Sequence, residues 1–191
     1  KTLLSIFIIF ILSNLYSCSP SGVLASGGAT TMVVAEGDRT LGTVVDDATI
    51  KINISSNLLS SSTDLFVNIN TNVIEGRVLL TGIVDTQEIR IEAVRKVWEV
   101  EGVREVINEI EIGNKTTIKE YANDLWITTQ VKGLAAKTIG LRALSYNFET
   151  IKGKVYIAGI TSRPEQLDQI VEATRTVKGV NEIVNYVIVK E

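Results

Sequence analysis

Apolar residues recur along this chain with two spacings, and these spacings alternate in a fixed order. Around residues 46–60 and 123–138, apolar side chains fall three or four positions apart, as Ile127 and Val131 do, which predicts amphipathic helices. The stretches "RVLLTGIV" and "KVYIAGIT" show the alternation that is typical of β-strands. Helices and strands are therefore expected in both halves of the chain.

The two halves match each other without a gap when the sequence is shifted by 77 residues. Asp47 then falls on Asp124, and Gly76 falls on Gly153. Further matched pairs are Val78 with Val155, Gly82 with Gly159, Glu88 with Glu165, Gly102 with Gly179 and Asn108 with Asn185. Such regular agreement indicates two copies of one domain of about 65–70 residues.

Each copy is predicted to contain a β-hairpin after its first helix. The first strands are expected near residues 65–74 and 142–151. Glu75-Gly76 and Lys152-Gly153 follow them, and an X-Gly pair suits a tight turn with positive φ.

Capping signals predict where the helices begin and end. Asn123 or Asp124 is expected to cap the first helix of the second copy. Asp85-x-x-Glu88 and Ser162-x-x-Glu165 resemble capping boxes for the second helices, which then end at glycines. A helical crossover to a third strand favours a parallel pair. The expected fold class is α+β, with two αββαβ units, each a three-stranded mixed sheet with two helices on one face.

The N-terminal segment is predicted to direct the chain out of the cytoplasm. Residues 1–17 contain the apolar run "LLSIFIIFIL", which has the length of the apolar core of a signal peptide. "LYSC" ends at Cys18 and resembles the lipobox of bacterial lipoproteins, which implies a diacylated and N-acylated cysteine. An ordinary signal peptide with an incidental cysteine is the other interpretation. Residues 18–45 are predicted to be the lipidated cysteine with a flexible tether, and residues 114–122 a linker.

Composition argues against several classes of function. The sequence has no histidine and one cysteine, which removes the commonest general acid/base and the usual zinc ligands. No nucleophile-elbow or phosphate-loop motif is present, so no enzyme activity, metal or cofactor is expected. The acidic pI of about 5.2 argues against nucleic-acid binding.

Two motifs in each copy resemble the BON domain family. They are "GRVLLTG" with "VEGVREVIN" in the first copy and "GKVYIAG" with "VKGVNEIVN" in the second. The lipobox and two such domains, at 46–113 and 123–191, resemble the dual BON-domain outer-membrane lipoproteins. The resemblance implies a non-enzymatic periplasmic protein that binds anionic phospholipid, such as phosphatidylglycerol or cardiolipin, through the first helix of its second domain. It also implies anchoring at the periplasmic face of the outer membrane and links to membrane integrity, the division site and outer-membrane protein assembly.

Charge and helix geometry point to the same helix. Residues 1–113 carry a net charge of −6 and residues 114–191 carry +3, so the second domain is expected to prefer an anionic surface. On the helix that starts near residue 123, one arc is small, apolar and aromatic and carries one cation. The residues on this arc, predicted to contact phospholipid, are Leu125, Trp126, Thr129, Lys132, Gly133 and Ala136.

Both tryptophans have a second interpretation. Trp126 has Thr49 as its equivalent, so the fold itself does not require tryptophan there; it either contacts the membrane interface or fills a groove between the domains. Trp98 is expected at a core edge or between the domains. A protein-binding or chaperone-like module that uses the sheet or the inter-domain groove is the other candidate function.

Overall fold

The computed structural model describes residues 40–114 and 116–190, so the targeting segment, Cys18 and most of the tether lie outside the described residues. In the first copy the elements are α1 (Leu41–Ser61), α2 (Thr63–Asn68), β1 (Ile69–Ile74), β2 (Arg77–Val84), α3 (Gln87–Trp98) and β3 (Glu105–Ile112). In the second copy they are α4 (Ile118–Ile139), a 3₁₀ helix (Gly140–Ser145), β4 (Tyr146–Ile151), β5 (Lys154–Thr161), α5 (Pro164–Arg175) and β6 (Glu182–Val189).

The two sheets have the same mixed topology. β2 lies in the middle of the first sheet, antiparallel to β1 and parallel to β3. β5 holds the same place between β4 and β6. The predicted α+β class and the two αββαβ units are confirmed, with one short helix added before the first strand of each copy.

Each copy has its own core between its helices and one face of its sheet. In the first copy Ile54 of α1 packs with Val78 and Leu80 of β2, and all three are fully buried. In the second copy Ile127 and Val131 of α4 belong to the corresponding core. Removal of these apolar side chains from water is the main stabilising contribution in each copy.

The other faces of the two sheets pack against each other. Leu79 of β2 and Tyr156 of β5 occupy equivalent positions, and both belong to one buried cluster that includes residues of both copies. The molecule therefore has four layers, with helices outside and two sheets inside. Seven of the eight residues of β2, and of β5, are buried, because each central strand is covered on both faces.

Polar contacts at the rim fix the orientation of the two sheets. The Tyr186 hydroxyl donates to Glu109 Oε1 at 2.5 Å, and Lys190 Nζ contacts Glu75 Oε1 at 2.5 Å. Lys154 Nζ lies 3.3 Å from Glu111 Oε1. Burial, together with the bond to Glu109, raises the pKa of Tyr186 to about 12, so its hydroxyl stays a donor at neutral pH.

A buried aspartate holds each hairpin turn. Asp124 accepts the backbone N–H groups of Lys152 and Gly153 at 2.7 and 2.9 Å. The same clamp forms in the first copy between Asp47 and the turn at residues 75–76, at 2.8 and 2.9 Å. Lys152 has φ of 48°, which is uncommon for a residue with a side chain, and the clamp stabilises that conformation.

The expectation that Asn123 or Asp124 caps the first helix of the second copy is wrong. Thr117 is the cap, and it forms a complete capping box with Glu120. α4 consequently starts at Ile118, inside the segment predicted as linker, and α1 starts at Leu41, inside the predicted tether.

The second helices also begin differently from the expectation. Thr86, rather than Asp85, caps α3 by accepting the N–H of Ile89. In the second copy Arg163 precedes α5 without a side-chain cap, so Ser162 does not have the predicted role. Pro164 occupies the first turn of α5, where the missing N–H does no harm.

Candidate functional site

α4 is the element that presents the predicted site residues. It has 22 residues, which at 1.5 Å per residue gives a length of about 33 Å. Ile127, Val131 and Ala135 are buried on its inner side. The inner side therefore belongs to the core, and the outer side is free for another role.

The six residues predicted to contact phospholipid are all exposed on α4; four of them lie on its outer side, and Leu125 and Lys132 line the groove between the domains. The six residues are Leu125, Trp126, Thr129, Lys132, Gly133 and Ala136. Trp126 retains 48% of its surface exposed, a large fraction for the largest apolar side chain. An exposed tryptophan surrounded by small residues is typical of a contact surface rather than of a core edge.

Trp126 does not fill the groove between the domains. That groove is lined on the α4 side by Tyr121, Leu125 and Lys132, whereas Trp126 lies outside the lining. With 100° between successive residues, Trp126 is turned away from Lys132 by about 120° around the helix axis. Its apolar ring therefore faces the solvent side of the domain.

Two further apolar residues of α4, which line the groove between the domains together with Leu125, are exposed as well. Ile118 is 89% exposed and Tyr121 is 65% exposed. Both belong to the first turn of α4, which the predicted helix start excluded. The sequence signal that would have located them is Thr117-x-x-Glu120, because a capping box marks a helix N-terminus.

Cations flank Trp126 along the same helix. Lys119 and Lys137 are exposed, and helical geometry places each within about 20° of Trp126. The two carboxylates of α4 lie elsewhere, since Asp124 is buried at the hairpin turn and Glu120 is bonded to Thr117. The Thr117 backbone N–H, which donates to Glu120, lowers the pKa of that carboxyl. The outer side of α4 is therefore apolar and cationic.

Small residues beside Trp126 make the surface smooth. The Thr129 hydroxyl donates to the Leu125 carbonyl at 2.8 Å, so this polar group is satisfied inside the helix. Gly133 has open space where a Cβ would stand, so packing does not explain its presence in a helix interior. Both features reduce the penalty of placing this side against an apolar phase.

The expectation for Trp98 is wrong. Trp98 lies at the end of α3 and is 52% exposed, on the helix layer and away from the inter-sheet cluster. Ile91, two turns earlier on α3, is exposed as well. Their equivalents in the second copy are Asp168 and Arg175, so the second copy has no such apolar pair.

Two kinds of site are not found within residues 40–114 and 116–190. No group of three or more cysteine, aspartate or glutamate side chains is arranged to hold a metal ion in these ranges. In the same part of the chain, every helix is too short or too polar to cross a bilayer.

Comparison with known proteins identifies the fold. Residues 46–114 and 123–191 each match the model of the BON domain. The chain therefore belongs to the BON domain family and carries two copies of the domain in tandem.

Several curated proteins are similar over most of the chain. An "Uncharacterized protein in gshII 5'region" of Anaplasma centrale is 37% identical, covering 76% of this chain and 96% of that protein. The "21 kDa hemolysin" of Actinobacillus pleuropneumoniae is 34% identical, with 78% of both chains covered. The "Outer membrane lipoprotein DolP" of Haemophilus influenzae is 28% identical, covering 83% of this chain and 82% of that one.

A solved structure with a weaker likeness is CdsD, a structural protein of the type III secretion system of Chlamydia trachomatis. It is 12% identical, with a TM-score of 0.32, over 73% of this chain and 62% of that one.

Proposed function

We propose that this protein is a non-enzymatic envelope lipoprotein that binds the surface of anionic phospholipid membranes through the outer side of α4. Cys18 would tie the chain to the periplasmic face of the outer membrane, and phosphatidylglycerol or cardiolipin would be the lipid bound. The similarity to an outer membrane lipoprotein supports the location.

The observation that carries the proposal is the outer side of α4. Trp126 is exposed there, and Lys119 and Lys137 on the same side are not matched by exposed carboxylates on that side. A tryptophan ring prefers the headgroup zone of a bilayer, and each lysine near an anionic surface contributes about 1 kcal/mol. A helix with this composition lies in the interface rather than across the membrane.

The proposal is tested with a chain that begins at Ser19, which lacks the predicted anchor. The residues of both cores lie between positions 50 and 187, so this chain keeps both cores. We expect it to sediment with vesicles that contain phosphatidylglycerol and not with pure phosphatidylcholine vesicles. Binding at equal strength to both would contradict the proposal.

Trp98 provides a matched control for Trp126. The two side chains are exposed to a similar degree but lie on different domains. We expect Trp126→Glu to weaken vesicle binding at least tenfold and Trp98→Glu to leave it unchanged, because only Trp126 would enter the interface. Equal losses, or no loss with Trp126→Glu, would remove the role proposed for α4.

A protein-binding role is the second candidate, and the exposed pair on α3 favours it. The sheet faces are buried between the domains, so they do not offer the surface that this function was expected to use. Ile91 and Trp98 form an exposed apolar surface on α3 that is available to a protein partner instead. We expect Ile91→Asp with Trp98→Arg, the residues of the second copy, to remove an α3-dependent crosslink in cells while vesicle binding persists. An unchanged crosslink pattern would contradict this role.

A further inference from the structure

A cleft of about 320 Å³ opens where the two domains meet beneath their first helices. Its walls come from both domains: Lys51 from α1, Lys132 from α4, and side chains of the two hairpins. The polar hairpin residues that line it include Asn70, Asn72, Asn147 and Glu149. The cleft therefore exists only while the two domains are packed together.

Lys51 and Lys132 are the two lysines that line this cleft. Among residues 40–114 and 116–190, no carboxylate lies within 4 Å of Lys51 or Lys132, although both are near Glu149. Glu149 Oε1 accepts instead from Asn70 Nδ2 at 3.0 Å. The charged side chains that line the cleft are two lysines and one glutamate, so the lining carries a net charge of +1, which suits an anion.

Burial of Glu149 raises the pKa of its carboxyl above the ordinary value. Lys132 and Lys51 oppose this shift, and Asp124 adds to it. These are the charged groups that face Glu149 from α1 and α4. An anionic surface attracts protons as it attracts other cations, so Glu149 takes up a proton more readily there. The cleft then carries both lysine charges and a hydroxyl donor.

The surroundings of the cleft indicate that its ligand is an amphiphile. A second groove shares Asn70, Lys132 and Glu149 with the cleft and continues along α4. Its walls carry exposed apolar side chains, which are Val67, Ile118, Tyr121 and Leu125. An anion site that opens directly onto an apolar wall fits a charged headgroup with an acyl chain attached.

We propose that the cleft between the domains binds the phosphodiester of one anionic glycerophospholipid, held by Lys51 and Lys132, with its acyl chain along the apolar wall of α4. The first domain thus contributes directly to lipid recognition. This inference rests on the proposed function, since it names how the bound membrane is recognised. It differs in requiring Lys51, which lies outside α4 and outside the second domain.

Substitution of Lys51 separates the cleft from simple surface binding. We expect Lys51→Gln, in the chain from Ser19, to weaken binding to phosphatidylglycerol vesicles about fivefold, the effect of losing one lysine contact. Lys96→Gln is the control, because it removes the same charge from the same domain but belongs to a 3.0 Å ion pair with Glu99. We expect it to leave binding unchanged.

The outcomes distinguish the cleft from the proposed function. If Trp126→Glu abolishes binding while Lys51→Gln does not differ from Lys96→Gln, α4 binds the membrane and the cleft does not bind a headgroup. If all three variants bind like the natural chain, both inferences fail. A loss confined to Lys51→Gln and Trp126→Glu supports both.

Two further measurements address the ligand and the carboxyl. Soluble glycerol phosphate at millimolar concentration is expected to compete weakly, because it lacks the acyl chain; competition as strong as that of phosphatidylglycerol vesicles would overturn the assignment to a lipid.

Glu149→Gln is expected to bind anionic vesicles more tightly at neutral pH and to lose the pH dependence of the natural chain. Weaker binding by Glu149→Gln would contradict the electrostatic arrangement.

Discussion

The first helices of the two domains, α1 and α4, share their inner sides and differ on their outer sides. Ile54 and Val131 are equivalent and buried, and each helix supplies the aspartate that holds its hairpin turn. Outside, α1 exposes aliphatic residues, which are Val45, Ile52 and Leu59. α4 exposes Trp126, Lys119 and Lys137 at positions where α1 has Thr49, Gly42 and Ser60. The fold requires similar residues on the inner side of the first helix in both domains, and it allows the residues on the outer side to differ.

The largest effect is predicted for the inner sides that α1 and α4 share. Asp124→Ala should lower the free energy of unfolding by about 2–4 kcal/mol, because the part-buried N–H of Lys152 and the buried N–H of Gly153 lose their acceptor. Asp47→Ala should have a similar effect, as measured by urea unfolding. Asp46→Ala, at an exposed neighbour, is the control. A large loss in one copy only would show that the two turns are not held alike.

The second largest effect is predicted for substitutions on the outer sides of α1 and α4. Trp126→Thr places the residue of α1 on α4 and should weaken binding to anionic vesicles about tenfold, since the interfacial ring is lost. Adding Thr49→Trp to that variant should not restore binding, because Lys119 and Lys137 have no lysine equivalents on α1. Vesicle sedimentation measures the binding of both variants. Restored binding would mean that any exposed tryptophan on a first helix suffices.

Glu149 predicts a pH dependence that the first domain lacks, because its equivalent there is Asn72. Its pKa is raised in the folded state, so the folded state holds the proton more tightly than the unfolded state. The stabilisation is present below the ordinary pKa of about 4.5 and is lost as pH rises through the raised value. Glu149→Gln should therefore gain stability relative to the natural chain on going from pH 4 to pH 7. Parallel unfolding curves for the two chains across that range would contradict it.

The smallest effect is expected at Gly133, whose equivalent in α1 is Ser56. Gly133→Ala should raise the free energy of unfolding by about 0.5–1 kcal/mol, because the helix interior gains a residue with less conformational freedom to lose. A Cβ meets nothing within 4 Å there, so no clash opposes the gain. Vesicle binding should persist, since alanine is also small. A loss of binding would show that the membrane approaches this backbone more closely than a methyl group allows.

The elements were predictable where local chemistry decides them. The repeat predicted the two αββαβ units, and Glu75-Gly76 and Lys152-Gly153 form the expected turns with positive φ. The start of α4 was missed although Thr117 and Glu120 signal it, because Asp124 offered a second capping residue nearby. The backbone N–H groups that Asp124 binds lie 28 and 29 residues further along the chain, and no local pattern reports them.

The packing of the two sheets against each other was harder to predict from the sequence, although one signal indicated it. "VLLTGIV" and "VYIAGI" were interpreted as alternating, but they are apolar at nearly every position, which is typical of a strand that is covered on both faces. Which surface covers the second face depends on tertiary contacts such as that of Leu79 with the Tyr156 cluster. For the same reason the cleft lined by Lys51 and Lys132 could not be predicted, since its residues are brought together only by this packing.

The most direct measurement uses the two tryptophans of the chain, Trp98 and Trp126, as separate fluorescent reporters. In Trp98→Phe the remaining reporter is Trp126, and we expect its emission to shift to shorter wavelength on addition of phosphatidylglycerol vesicles but not phosphatidylcholine vesicles. In Trp126→Phe the emission of Trp98 should stay unchanged. A shift of Trp98 alone, or no shift of either, would contradict membrane binding by the outer side of α4.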